Sequence, residues 1–226
     1  MKKLIPSVLL AVLLSLGLLS AAIWLPATSS RLMCALMARF APPETTGLPA
    51  EDYPAMTKMI TGYLRGGNEP FQYTYTLDGT DYLAFHDYEQ QHMDDVQGLF
   101  RLCRFVMWLG TGAVLLWGFA LRGRQRWFSL RVMQGTLLTL LAAVTVLAVV
   151  AVIDFDALFI LFHKVAFTND LWLLDPRTDM LIRLMPTDFF VTYAAIIGCL
   201  WLLGMVGLLV ISAIPSAKQK KGSEIP

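Results

Sequence analysis

Apolar residues along the chain gather into four long runs, and the stretches between them mix polar and apolar positions over short periods. The runs are Leu4 to Leu25, Leu102 to Leu121, Val132 to Ile153 and Phe189 to Ile214. An α-helix rises about 1.5 Å per residue, so a run of about 20 residues crosses the roughly 30 Å of bilayer hydrocarbon. Backbone N–H and C=O groups find no water there, and only a helix satisfies them within one segment. The pattern therefore predicts a mainly α fold, a four-helix transmembrane bundle with a small extracytoplasmic module containing a β-hairpin. The predicted divisions are a membrane helix in 1–25, the extracytoplasmic module in 26–101, a membrane helix in 102–121 and a cytoplasmic loop in 122–131. A third membrane helix in 132–153, an extracytoplasmic interfacial loop in 154–188, a fourth membrane helix in 189–214 and a cytoplasmic tail in 215–226 complete the chain.

Between the first two runs the period changes. Ala41-Pro-Pro-Glu-Thr-Thr-Gly-Leu-Pro49 is rich in turn formers, and Asp52 to Leu64 reads as a short helix. Phe71-Gln-Tyr-Thr-Tyr-Thr-Leu77 alternates aromatic and polar side chains, Asp78-Gly79 supplies a turn, and Thr80 to His86 pairs back. Asp-Gly between two alternating segments is a strong hairpin signal. A lone hairpin is marginal in water, so this one is expected against the outer helix ends, with Phe71 and its tyrosines in the headgroup zone. From Tyr88 to Leu99, Met93, Val96 and Leu99 recur at helical spacing, so the second membrane helix is expected to begin outside the membrane. Residues 162–190 fit no single period. They are expected to cap the bundle at the interface, with a short helix over Asp179 to Met185 that stops before Pro186.

Composition and charge sharpen this picture. Of the 226 residues 56% are hydrophobic and 15% charged, well to the apolar side of a soluble domain. The net charge of +1 gives no reason to expect a nucleic-acid partner. Lys2, Lys3, Arg122, Arg124, Arg126, Arg131, Lys218, Lys220 and Lys221 share their segments with one acid, Glu224, while the two other connections hold sixteen of the seventeen acids. Positive charge marks the cytoplasmic side, which places both termini inside. Met1 to Ala22 also has the shape of a secretory signal, but the apolar run continues through Ile23, Trp24 and Leu25, so a retained anchor is expected. Cys34, Cys103 and Cys199 show no paired spacing and read as packing residues.

The three histidines, His86, His92 and His163, all fall in the outer segments. Imidazole exchanges protons near neutrality, and ionisable groups near membrane depth are functional candidates by default. Glu89, His92 and Asp95 are spaced three apart, which puts them on one helix face. No serine-hydrolase elbow, zinc-protease motif or phosphate loop is present. Glu89-x-x-His92 is half of a di-metal motif without its second copy. A single metal held by His92, His163 and a carboxylate is the alternative this leaves open; the expectation is no metal and no cofactor. Paired histidines without a protein nucleophile suit acid–base catalysis on a substrate that carries its own nucleophile.

Two stretches carry a family resemblance. Glu89-x-x-His92-x-x-Asp95-Val96 is one. The other is Phe162-His163-x-x-x-Phe167-x-Asn169-Asp170-x-Trp172-x-Leu174-x-Pro176-x-x-Asp179-x-Leu181-Ile182-x-x-x-Pro186-x-x-Phe189-Phe190. Together with the four-span architecture they resemble the lipoprotein intramolecular transacylase (Lit-type) family of bacterial membrane enzymes. The resemblance implies transfer of the sn-2 acyl chain of a diacylglyceryl-cysteine to the cysteine α-amino group, giving a lyso-form lipoprotein. It implies diacylated bacterial lipoproteins as substrates in contact with membrane lipids, and His92 and His163 as the catalytic pair at the outer leaflet. His163 is expected as general base and His92 as general acid or oxyanion donor, oriented by Asp95 or Glu89, with the two roles exchangeable, and Asn169 as an amide donor to the oxyanion. The alternatives are a non-catalytic membrane subunit that docks a partner through its outer loops, and a channel or transporter. The spans carry few polar residues (Ser15, Arg104, Thr136, Thr139, Thr145), which disfavours the last of these.

Overall fold

The computed structural model describes residues 3–121 and 127–222, with side chains up to residue 213. Lys2, Arg122, Arg124, Arg126 and Glu224 of the charge pattern lie outside the described residues, as do the side chains of Lys218, Lys220 and Lys221. The helices are α1 (Leu4–Ala27), α2 (Ser30–Phe40), α3 (Pro43–Thr46), α4 (Tyr53–Leu64), α5 (Asp87–Leu121), α6 (Leu130–Ile153), α7 (Phe155–Ala166), α8 (Met180–Leu184) and α9 (Thr187–Gly222). A 3₁₀ turn at Ala50–Asp52 leads into α4, and the strands β1 (Thr74–Leu77) and β2 (Thr80–Leu83) form one antiparallel pair. Leu4–Ala27, Asp87–Leu121, Leu130–Ile153 and Thr187–Ala213 are each long and apolar enough to cross a membrane. The expectation that the second span begins outside its apolar run agrees with α5, whose 35 residues make a rod of about 52 Å.

The chain divides into two compact units. The first comprises Met1–Ala22, Arg104–Val150 and Ile197–Pro226. Its core gathers Leu10, Leu14, Trp117, Met133, Leu137, Trp201 and Met205 from the four long helices. Gly17 and Gly110 let α1 and α5 touch backbone to backbone, since a Cβ on Gly17 would fall 2.5 Å from the Gly110 Cα. Small residues at such crossings are a membrane-helix device, because close van der Waals packing replaces the hydrophobic drive that lipid removes. Leu115 and Leu203 stand out from this unit with most of their surface free, as lipid-facing side chains do.

The second unit comprises Ile23–Cys103 and Ala151–Ile196. Met37, Leu48, Met56, Ile60 and Leu184 are fully buried in its core. The amphipathic helix α2, absent from the sequence expectations, contributes Met33, Leu36 and Met37, and Ser29 caps it by accepting from the Leu32 N–H at 3.4 Å. The hairpin has the expected turn and register, with Leu77 opposite Thr80 and Tyr75 opposite Tyr82. Asp78 at φ 50° and Gly79 at φ 76° both adopt the left-handed conformation that a two-residue turn of this kind requires. Its strands are shorter than predicted, and Phe71 is core rather than interfacial: it is 2% exposed, between Tyr63 and Phe85.

The largest departure lies in 154–188. The segment expected to be a loop opens with α7, capped by the Asp154 carboxylate, which accepts from the Ala157 N–H at 2.9 Å. Within Phe155–Ala166 alone the residues Phe155, Leu158, Phe159 and Phe162 follow a helical period; the irregular text after Phe167 hides it when the whole segment is read together. α8 sits inside the predicted Asp179-to-Met185 helix and stops before Pro186, as expected.

Candidate active site

His92 and His163 lie on α5 and α7, 71 positions apart in the chain, and the fold brings their rings to 6.1 Å between centroids. Both are buried, at 6% and 8% exposure. The wall around them is aromatic. Phe159 lies 4.1 Å from the His163 ring, Trp172 5.1 Å, Phe162 5.2 Å and Phe167 5.5 Å, and Phe167 also meets His92 edge-on at 5.0 Å. Helical periodicity explains part of this, since Phe159, Phe162 and His163 share one side of α7.

The two imidazoles differ in their partners. His163 Nδ1 lies 2.7 Å from the Phe159 carbonyl oxygen. A carbonyl only accepts, so Nδ1 carries the hydrogen and Nε2 keeps the lone pair. Burial pushes the His163 imidazole below its ordinary range, and the bond to Phe159 opposes that shift only in part. The ring is therefore held neutral with its basic nitrogen available. His92 Nδ1 is buried and has no hydrogen-bond partner among the described residues. Leaving such a group unsatisfied costs about 1–3 kcal/mol.

The three residues expected to support the pair divide between two places. Asp95 and Asn169 form one arm: the Asn169 side-chain amide donates to Asp95 Oδ2 at 2.9 Å, and the Trp172 indole N–H donates to the Asn169 carbonyl at 3.0 Å. Since Trp172 packs on His163, this arm ties the α5 face below His92 to the wall of the pair. Glu89 goes elsewhere. Its Oε2 accepts from the His86 backbone N–H at 2.8 Å and lies 3.0 Å from His86 Nδ1, and its Oε1 accepts from the Leu181 N–H at 2.8 Å. Glu89 thus bonds His86 and Leu181, and among the described residues it makes no hydrogen bond to His92.

Sequence reasoning set His86 aside, yet it belongs to a second polar cluster. His86 Nδ1 and one oxygen each of Glu89 and Asp179 lie within 4.8 Å of one another, close enough to share a cation. Donors already fill these acids. Asp179 accepts from the Tyr88 hydroxyl at 2.5 Å, the Thr178 hydroxyl at 2.7 Å and the Asp175 N–H at 2.7 Å. Burial raises the Asp179 carboxyl, but those hydrogen bonds and the facing His86 outweigh it and hold it below its ordinary value. The trio is a hydrogen-bonded clamp that fixes the start of α5 to the segment 175–181, and so fixes the register in which His92 is presented. The sequence signal for it was the shared motif position of Asp179, without any indication of its partner.

Comparisons with known proteins agree with this architecture. The family model described as lipoprotein intramolecular transacylase Lit matches residues 8–190. The fold is similar to the membrane-integral lipoprotein intramolecular transacylase Lit from Bacillus cereus, with a TM-score of 0.77 and 21% identity over 98% of this chain and 98% of that one. Two variants of the Bacillus cereus protein are similar as well. One has a histidine replaced by alanine (TM-score 0.71, 21% identity, 98% of this chain and 96% of that one). The other has arginine in place of a histidine (TM-score 0.64, 20% identity, 96% and 94%). No curated protein sequence matches the chain.

Proposed function

The chain belongs to the lipoprotein intramolecular transacylase family, and from that premise we propose that it moves the sn-2 acyl chain of a diacylglyceryl-cysteine to the cysteine α-amino group, with His92 and His163 as the acid–base pair. The family supplies an enzyme that shifts an acyl group within a lipoprotein, and the site supplies the means. The observation that carries the reading is the pairing of two buried imidazoles, one locked as a neutral base and the other with an unsatisfied nitrogen.

In this mechanism the α-amino group, with an ordinary pKa of about 7.7–8.0, loses its first proton to solvent and reacts as the free amine. Its nitrogen attacks the ester carbonyl carbon, an oxyanion forms, and His163 Nε2 takes the proton that the nitrogen sheds as the new C–N bond is made. When the tetrahedral species collapses, the bond to the glycerol oxygen breaks, and His92 gives that oxygen its proton. A proton passes from the His163 side of the site back to His92 over the cycle, so nothing is consumed. The second hydrogen of the Asn169 amide, free of Asp95, is the donor for the oxyanion. The aromatic wall excludes water, which would otherwise compete with the amine. Because amine and ester belong to one substrate, confinement alone supplies several kcal/mol.

The charge pattern supports an outward-facing site, with residues 26–101 and 154–188 extracytoplasmic and both termini in the cytoplasm. No metal or cofactor enters the mechanism. The test uses the purified full chain in liposomes with a synthetic diacylated lipopeptide, followed by mass spectrometry. The wild type is expected to give the lyso form. His92→Ala and His163→Ala are each expected to slow transfer by about 10²–10⁴-fold while inserting normally. Unchanged transfer in both variants would refute the acid–base pair, whereas a non-catalytic docking subunit would give no lyso form even with the wild type.

A further inference from the structure

Next to the histidine pair lies a surface pocket of about 460 Å³, within the roughly 300–1,000 Å³ usual for ligand sites. Phe167 and Trp172 line it, and these are the rings that pack on His163 at 5.5 and 5.1 Å. The pocket is thus one aromatic ring away from the base. Its polar lining is Lys164, Thr168, Asn169 and Asp170. Lys164 and Asp170 are exposed, and neither forms an ion pair among the described residues.

We propose that this pocket holds the polypeptide that follows the modified cysteine, with Lys164 and Asp170 reading the charge of its first side chains; the inference rests on the transacylase reading above. Stereochemistry leads there. The cysteine Cα carries three arms: the amine that attacks, the thioether that leads to the ester, and the carbonyl that continues into the polypeptide. When the first two converge on the histidines, the third begins one bond from the same carbon. Its next residues lie about 3.8 Å apart along the chain, so they must run beside the pair. The chemistry of the lining selects the same arm. An acyl chain offers nothing to a cation, a carboxylate, an amide and a hydroxyl, and burying those groups against it would cost their hydration. A peptide offers N–H donors, C=O acceptors and charged side chains to all four.

The experiment uses the full-length wild type in liposomes and diacylated lipopeptides carrying a benzophenone side chain two or three residues after the cysteine. Photoadducts are expected within residues 160–173. Adducts mapped elsewhere on a probe that is turned over normally would overturn the subsite. A second measurement pairs Lys164→Glu and Asp170→Lys with lipopeptides bearing an acidic or a basic residue next to the cysteine. Exposed charge pairs are worth up to about 1 kcal/mol, or about fivefold. Lys164→Glu should therefore raise KM about three- to fivefold for the acidic peptide, and Asp170→Lys should do the same for the basic one. KM values that ignore peptide charge in both variants would overturn the assignment of the two residues. Absence of turnover of every peptide by the wild type would instead refute the transacylase reading.

Discussion

In the unit formed by Met1–Ala22, Arg104–Val150 and Ile197–Pro226, the buried polar side chains among the described residues are four serines, Ser7, Ser15, Ser20 and Ser212. The unit formed by Ile23–Cys103 and Ala151–Ile196 buries Glu89, His92, His163 and Asp179. A serine within a membrane helix settles its hydroxyl hydrogen locally, as Ser7 does by donating to the Lys3 carbonyl at 2.7 Å, and Ser7 and Ser212 also accept from the Ser129 N–H at 2.8 Å and the Gln134 amide at 3.0 Å. The buried carboxylates draw partners across long stretches of chain: Glu89 accepts from the Leu181 N–H, 92 positions away, and Asp179 from the Tyr88 hydroxyl, 91 positions away. Both units rest on apolar packing, and the second adds donors aimed at buried carboxylates. Only the second arrangement leaves groups that move protons.

Substitutions that strike one arrangement and spare the other test this contrast. The largest effect is expected for Glu89→Ala, which strands the His86 and Leu181 N–H groups and opens a cavity. A loss of about 3 kcal/mol, read as a lower unfolding midpoint in detergent, should accompany lost transfer, whereas Glu89→Gln should retain part of both. Wild-type stability in Glu89→Ala would mean that the clamp is incidental. Next comes Gly17→Val, whose side chain meets the Gly110 backbone. About 1–3 kcal/mol should be lost from the bundle, while the surviving folded fraction transfers acyl chains at the wild-type rate. A lower rate per folded molecule would show that the crossing also governs the site.

The smallest effect is one of pH. The pKa of His163 in the folded protein lies below the ordinary value of about 6.5, so the neutral base predominates at and above that pH. Besides the limb that the substrate amine sets at about 7.7–8.0, transfer should show a second acid limb from His163 with its midpoint below about pH 6.5. The linkage has the same sign: the unfolded chain takes up the proton first, so stability is complete above the unfolded pKa and is lost as pH falls toward the folded one. A histidine limb, separate from that of the amine, centred above the ordinary histidine value would contradict a buried neutral base.

How much of this was legible in the sequence follows from how local each signal is. The four spans and the hairpin were readable because run length and an Asp-Gly turn act within a few residues. The pairing of His92 with His163 was not a matter of period; it came through the family likeness of the segments around them. α7 was missed although its cap and apolar spacing are local, because an irregular tail masked them. The division of Glu89, His92 and Asp95 could not be read at all. Equal spacing places the three on one helix face, but their different partners, Leu181, the aromatic wall and Asn169, come from segments more than 60 positions away.

The central claim is that a buried imidazole pair shifts the sn-2 acyl chain onto the cysteine amine. Its most direct test is a lipopeptide isotopically labelled in the sn-2 chain alone, incubated with the wild type and with His163→Ala and fragmented by tandem mass spectrometry. The label should appear on the cysteine nitrogen with the wild type and stay on glycerol with the variant. Label left on glycerol in a product acylated at nitrogen by the wild type, or the same product from both proteins, would contradict the claim.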